Sequence, residues 1–330
     1  MQPRPSYRQL QEKFEEYLRD TILDETQNHP LLQEMISYHF GWLKPLQTAG
    51  KRLRPMIALL SAELISEDFS KAFPAASALE ILHNYTLIHD DIVDNSDLRH
   101  GQVTLWKKYG IAHAINTGDY LSSLALVFIS NARIGRPDLL YSIFLKSATD
   151  VIEGQHEDIR FESEATISQQ AYFDMISQKT ASLFSAAMKL GAISVGANHT
   201  VINLLGEVGY QFGIAYQIYD DYIGVWGDPK DTGKPAGIDL MKRKKSYPVL
   251  IGIQKDPEFA ALLSTNSVWD TTTISNMIEV LNALGVQKQA RTKISQHLDS
   301  ANQQLDKIKT DHSLDVSRLS NYVNSLFKLD

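Results

Sequence analysis

The chain has 330 residues, 43% hydrophobic and 22% charged, with a formal net charge of -7 and a pI near 5.8. That is enough apolar sequence for a sizeable core, and the acidic balance excludes a general affinity for nucleic acid or anionic membrane. With no cysteine, disulfides, thiolate catalysis and cysteine-based zinc sites are excluded too. No apolar signal core follows Met1-Gln2-Pro3-Arg4-Pro5 and no run is long enough to span a bilayer, so the reading is a cytoplasmic protein with no integral membrane segment. No linker forces a cut, and residues 1–330 are expected to form a single domain.

From Tyr7 to about Thr26, Leu10, Phe14, Tyr17, Leu18 and Ile22 recur at helical spacing among charges, which predicts an amphipathic first helix. Pro30 opens a second helix, expected to reach about Leu46, at a first-turn position where the missing N–H costs nothing. Gly50-Lys51-Arg52-Leu53-Arg54-Pro55 then breaks the periodicity. Pro55 starts the next helix, through Ile65, and the cations at its N-terminal end form either an anion site or a solvated basic turn. Phe73 to Asp94 is apolar on more than one side, as a central helix must be. Loop formers from Asn95 to Gln102 carry Arg99 and His100.

Helical spacing resumes from about Ile111 to Ala132, Asp138 to Phe161 and Ser168 to Leu190. His156 beside Glu157 reads as a solvated histidine rather than a metal ligand. Thr200 to about Ile223 makes a helix whose Gly206, Gly209 and Gly213 each cost up to about 1 kcal/mol relative to alanine, which close packing on a neighbour would offset. Gly227 to Gly237 is the clearest loop, holds Lys230 and Lys234, and precedes Lys242-Arg243-Lys244-Lys245. The rest of the chain is again amphipathic. Strict alternation nowhere persists over a strand length, so the predicted fold class is all-α.

Two stretches carry chemistry. In Leu87-Ile88-His89-Asp90-Asp91-Ile92-Val93-Asp94, a helix puts Asp90 and Asp94 on one face, about 6 Å apart along the axis. Two carboxylates so placed suit a hard, oxygen-loving cation, whereas a single acidic helix end is ordinarily a solvated cap. The second copy, Gln217-Ile218-Tyr219-Asp220-Asp221-Tyr222-Ile223-Gly224, changes that balance, and the pair is expected to form one site. Lys51, Arg52, Arg54, Arg99, Lys179, Lys234 and Lys244 add separated cations. Carboxylates bind diphosphates through bridging Mg2+, with Arg and Lys completing the neutralisation, so acids and bases together point to metal-diphosphate chemistry.

Read in order from Gly50 to Pro248, the chain resembles the trans-isoprenyl diphosphate synthases of the polyprenyl synthetase family, related to farnesyl and geranylgeranyl diphosphate synthases. The motifs are Gly50-Lys51-Arg52-Leu53-Arg54-Pro55, His83, Asp90-Asp91-Ile92-Val93-Asp94, Leu98-Arg99, Gly154-Gln155 with Asp158, Lys179-Thr180, Tyr216-Gln217, Asp220-Asp221, Thr232-Gly233-Lys234-Pro235 and Lys244 ahead of Pro248. The resemblance implies one all-helical bundle around a deep central cavity, the isoprenoid synthase fold, in a homodimer. It implies a cluster of three Mg2+ held by Asp90, Asp94 and Asp220, with Asp91 and Asp221 supporting. Arg99, Lys179 and Lys234 would contact an allylic diphosphate, with Lys244 near it. Lys51, Arg54 and His83 would bind isopentenyl diphosphate, with Arg52 nearby, and Thr180 and Gln217 would lie beside the reacting carbon. The implied reaction is ionisation of the allylic C–O bond, attack by the isopentenyl double bond, and proton loss to the departing diphosphate.

Two positions depart from the family pattern. Gly224 stands where a third Asp is usual, with water expected to fill in, and His100 stands where a second Arg usually grips isopentenyl diphosphate. Histidine is only partly charged near neutrality, so a looser hold that tightens as pH falls is expected. Tyr85, roughly 7.5 Å along the axis from Asp90, is either the floor of the product tunnel or an ordinary core aromatic. The resemblance, with a small residue at Thr86, implies a C20 product, geranylgeranyl diphosphate, with farnesyl diphosphate as the alternative. A terpene cyclase on the same fold would need no isopentenyl site, and a non-catalytic subunit would be expected to lose metal carboxylates.

Overall fold

The structure, a computed structural model, describes residues 4–43, 50–99, 101–132, 136–228, 235–263 and 269–328. In these residues the secondary structure is helical apart from one short hairpin, as the sequence predicts. The helices group into two compact units, one of Met1–Phe144 with Ala187–Ile202 and one of Leu145–Ala186 with Asn203–Asp330.

In the first unit, α1 (Tyr7–Glu25) begins at a capping box, in which Ser6 Oγ accepts from the Gln9 amide and the Gln9 side chain accepts from the Ser6 amide. Its predicted stripe, Leu10, Phe14, Leu18 and Ile22, is buried. The second helix, α2 (Pro30–His39), stops well before the expected Leu46. Gly41 takes a left-handed φ of 82°, its amide donating to Tyr38 O at 3.1 Å and that of Trp42 to Ser37 O at 2.9 Å. That double bond is a Schellman stop, which only glycine adopts without strain. Helix α3 (Leu53–Ile65) follows, and α4 (Phe73–Val93) is buried on most sides, lying along α6 (Ile111–Ser130) and against α3. Between α4 and α6 lie a two-residue antiparallel pair, β1 (Leu98–Arg99) with β2 (Gln102–Val103), and the short α5 (Leu105–Tyr109). No alternation period is legible in strands this short.

The helix α7 (Pro137–Glu162) is followed by α8 (Gln169–Ile176), a π-helical turn at Ser177–Ala181, and α9 (Ser182–Ser194), where one continuous helix is expected from the sequence. In the second unit, α10 (His199–Trp226), which enters that unit at Asn203, runs through a core of Ile176, Ala181, Ile218, Tyr222, Leu240 and Tyr247. Two of its glycines are explained by packing: β-carbons at Gly209 and Gly213 would overlap the backbone of Phe184 and Ala181. The unit is completed by α11 (Ile238–Met241), α12 (Tyr247–Lys255), α13 (Pro257–Leu263), α14 (Thr271–Ala283), α15 (Val286–His312) and α16 (Ser317–Asn324).

Candidate active site

The end of α4 carries the first acid cluster. Asp90 is half-buried in the last turn, Asp94 is the exposed C-cap, and the Asp94 amide donates to Asp90 O at 2.8 Å, which keeps the two carboxylates one turn apart. Carboxylates at a helix C-terminus oppose the macrodipole, at about 0.3–1 kcal/mol each, so this end is poised for a cation. Asp91 is 2% exposed and grips Arg99, with Nε at 2.9 and 3.0 Å from its two oxygens and Nη2 at 2.9 Å from Oδ1. It therefore orients Arg99, which β1 places beside the cluster.

The basic stretch at the start of α3 divides by environment. Arg52, at φ 49°, turns its guanidinium into the core, where it bonds Glu15 at 2.8 and 2.9 Å, Glu80 at 2.9 Å and Phe40 O at 3.0 Å. Its expected place beside a substrate is thereby corrected: every one of these donors is spent on buried acceptors. Lys51 is exposed and Arg54 half-buried. Burial, then the charges of Arg54, Arg99 and Arg52, push the half-buried His83 well below the ordinary histidine pKa, and burial with Arg99 and Arg52 takes His39 down to about 3. Two neutral rings thus stand among arginines, an environment that favours an anion. Tyr85, 7% exposed, packs edge-on to His89 at 5.8 Å, and its pKa is raised by burial and by the charge of Asp90.

In the second unit, Asp220 is exposed on α10 and Asp221 is 1% exposed. Asp221 accepts from Tyr172 Oη at 2.7 Å, the Tyr247 amide at 2.9 Å, Lys244 Nζ at 3.0 Å and Gln217 Nε2 at 3.1 Å. Like Asp91, it holds other groups in place. Gln217 also accepts from Thr180 Oγ1 at 2.7 Å, so Thr180, Gln217, Asp221 and Lys244 form one chain of contacts. Burial pulls the Lys244 ammonium down, but Asp221, Asp239, Asp220 and Asp158 outweigh it and hold its pKa well above the ordinary value. Lys179 sits in the π-turn, its ammonium 2.5 Å from Asp158 Oδ2 on α7. The helices meet closely there: a β-carbon on Gly154 would overlap the Lys179 backbone. His100 and Lys234 lie outside the described residues.

The donors suit Mg2+. Asp90 and Asp94 offer paired hard oxygens, and among the described residues no group of three or more His, Asp or Glu closes into a protein cage. A cation that takes one or two carboxylates and draws its remaining ligands from phosphate and water needs no such cage. Sequence reasoning missed Glu15, Glu80, His39, Tyr172, Tyr247 and Asp239. Nothing in the residue pattern marks Tyr172 or Tyr247, and an acid such as Glu15 on a predicted helix reads as solvated until its partner is known.

A sequence profile of the family described as Polyprenyl synthetase matches residues 29–284. The chain is 40% identical over 218 residues to the geranylgeranyl diphosphate synthase of Sulfolobus acidocaldarius, covering 65% of this chain and 64% of that one. It is 31% identical over 304 residues to the short chain isoprenyl diphosphate synthase of Methanothermobacter thermautotrophicus, covering 91% and 90%. The match to the first of these spans just under two thirds of that relative's length. Among solved structures, the geranylgeranyl pyrophosphate synthetase of Pyrococcus horikoshii superposes with a TM-score of 0.85 at 29% identity, covering 97% of this chain and 96% of that one. A further geranylgeranyl pyrophosphate synthase superposes with a TM-score of 0.88 at 29% identity over 98% of both chains. With a profile match over most of its length and a relative aligned nearly end to end, the chain belongs to the polyprenyl synthetase family.

Proposed function

We propose that the protein is a Mg2+-dependent prenyltransferase that joins isopentenyl diphosphate head-to-tail to an allylic diphosphate, giving geranylgeranyl diphosphate. The observation that carries this reading is the end of α4, where Asp90 and Asp94 stand one turn apart beside an Arg99 held by Asp91. Relatives named geranylgeranyl diphosphate synthase support the C20 product. The mycobacterial farnesyl diphosphate synthases, 34% identical over 225 residues, favour a C15 product as the second reading.

In this reading Asp90, Asp94 and Asp220 hold the metal, three ions per site, and the metal when bound neutralises charge on the allylic diphosphate. Arg99, Lys179 and Lys234 bind that diphosphate and stabilise the negative charge it gains as the C–O bond breaks with both electrons. Thr180 and Gln217 line the reacting carbon, and Lys244 lies near the diphosphate. Lys51, Arg54 and His83 position isopentenyl diphosphate, whose double bond supplies the electrons of the new C–C bond. A proton then leaves its C2 for the departed diphosphate, which restores a double bond. No side chain acts as nucleophile. His100 adds a grip on isopentenyl diphosphate that strengthens as pH falls, so His100→Arg tightens binding and flattens its pH dependence. Unchanged or weaker affinity contradicts this role.

The reading also places the enzyme in the cytoplasm as a homodimer. No helix among the described residues is long and apolar enough to cross a membrane, while α6 exposes Ile111, Ile115 and Leu126 on a face that suits a second copy. The test is incubation with Mg2+, isopentenyl diphosphate and a C5, C10 or C15 primer, products sized by chromatography. C20 product from each primer is expected. A cyclic hydrocarbon from an allylic diphosphate alone would identify a cyclase instead.

A further inference from the structure

Between α8 and α9 the π-turn at Ser177–Ala181 takes one residue more than an α-helical path would, and Lys179 and Thr180 stand on it. Serines mark both of its ends. At the second end, the Ser182 amide donates to Ser177 O and so bypasses Gln178 O, the carbonyl it would take in an α-helix. The Ser182 hydroxyl takes that carbonyl instead, donating to Gln178 O at 2.6 Å. In an ordinary helix a serine hydroxyl bonds this carbonyl alongside its own amide. Here it stands in for the amide.

At the first end, Ser177 Oγ donates to Phe173 O at 2.6 Å, so it accepts from Tyr210 Oη, 2.8 Å away on α10. Tyr210, Gly213 and Gln217 share one face of α10 at helical spacing, and each meets the turn. A β-carbon on Gly213 would lie 2.6 Å from Ala181 Cα, and Gln217 Oε1 accepts from Thr180 Oγ1 at 2.7 Å. From the other side, Gly154 of α7 admits the Lys179 backbone. Closing the turn to α-helix removes the inserted residue, which rotates the chain on one side of it by about 100° and moves it about 1.5 Å relative to the other. Lys179 and Thr180 would then leave Asp158 and Gln217.

We propose that Ser182 and Tyr210 are positioning residues: the Ser182 hydroxyl and the Tyr210–Ser177 pair hold the turn in π register, which keeps Lys179 on Asp158 and Thr180 on Gln217. Neither touches a reacting group. Without the Ser182 hydroxyl, Gln178 O draws the amide of residue 182 back to it and the turn closes. What Lys179 and Thr180 then fail to do is taken from the function proposed above, on which this assignment rests.

The experiment combines steady-state kinetics, with isopentenyl diphosphate and an allylic primer, with crystal structures and melting temperatures of the parent, Ser182→Ala, Ser182→Thr and Tyr210→Phe. Ser182→Ala is expected to lower kcat about tenfold and to raise the KM of the primer, while that of isopentenyl diphosphate stays within about twofold of the parent's. Its structure is expected to show the amide of residue 182 on Gln178 O. Ser182→Thr, whose hydroxyl can bond the same carbonyl, is expected to recover most of kcat. Tyr210→Phe loses one hydroxyl and is expected to move kcat and the primer's KM in the same direction by a smaller factor. A folded Ser182→Ala that keeps the π-turn or the parent's kinetics, or a Ser182→Thr as slow as Ser182→Ala, overturns the role of Ser182. Parent kinetics in Tyr210→Phe overturns that of Tyr210. A parent protein with no prenyl transfer overturns the proposed function instead, and the structure of Ser182→Ala still decides whether its hydroxyl sets the turn.

Discussion

Arg52 and Arg54 are two residues apart on the same basic turn, yet their environments differ. Arg52 lies between Glu15 and Glu80 in the core, so removing it strands two buried carboxylates. Arg52→Met is predicted to destabilise the protein by about 3–5 kcal/mol in urea titration, as loss of one side of a buried ion network does, while the KM for isopentenyl diphosphate of the folded enzyme stays near the parent value. Arg54→Met should do the reverse. Sequence alone could not separate them, because the acids that claim Arg52 come from α1 and α4, far away in the chain. The buried His39 gives a pH signature. Its pKa is about 3 in the folded protein against an ordinary 6.5, so the unfolded chain takes up a proton that the folded one refuses. Its contribution falls by about 1.4 kcal/mol per pH unit from 6.5 down to about 3 and is constant above 6.5. Melting temperatures between pH 7 and pH 5 should therefore fall less steeply in His39→Gln than in the parent. Tyr85→Ala is predicted to lengthen the product, and a C20 product from that variant would show that Tyr85 is not the tunnel floor.

At the scale of elements, the helices were largely readable because burial follows helical periodicity: the expected Phe73 to Asp94 is the observed Phe73–Val93, and Leu10, Phe14, Leu18 and Ile22 are the buried stripe of α1. What escaped was local geometry with no periodic trace. The π-turn at Ser177–Ala181 inserts one residue into the hydrogen-bond ladder without breaking the hydrophobic spacing, and it places Lys179 and Thr180. It depends on Gly154, since a β-carbon there would press on Lys179 Cα at 2.7 Å. Gly154→Ala is predicted to cost about 1–3 kcal/mol by overpacking and to lower kcat more than it raises either KM, because it displaces Lys179 from Asp158. Stability and kcat both equal to the parent's would show that the turn tolerates the shift. The end of α2 escaped for a related reason: Gly41 is one glycine among 18, and only its left-handed φ marks it as a stop.

At the scale of the molecule, a chain with net charge -7 is proposed to bind two anionic substrates, so attraction has to be local. Cations are held in place by acids, the buried Asp91 for Arg99, the buried Asp221 for Lys244 and the half-buried Asp158 for Lys179. That Asp90 and Asp94 share a face was legible from spacing, since helical geometry fixes their separation along α4, and Asp220 stands exposed on α10. Asp91 and Asp221, adjacent to Asp90 and Asp220 in sequence, took their roles only from the partners that folding brought to them. In the proposed function, Asp90, Asp94 and Asp220 grip a metal so that a diphosphate can leave. Its most direct test is the turnover of Asp90→Ala at saturating isopentenyl diphosphate, allylic primer and Mg2+. A fall of roughly 10²–10³-fold is predicted, the scale of losing one electrostatic stabiliser of a leaving group. Turnover equal to the parent's, with the variant folded, would contradict it.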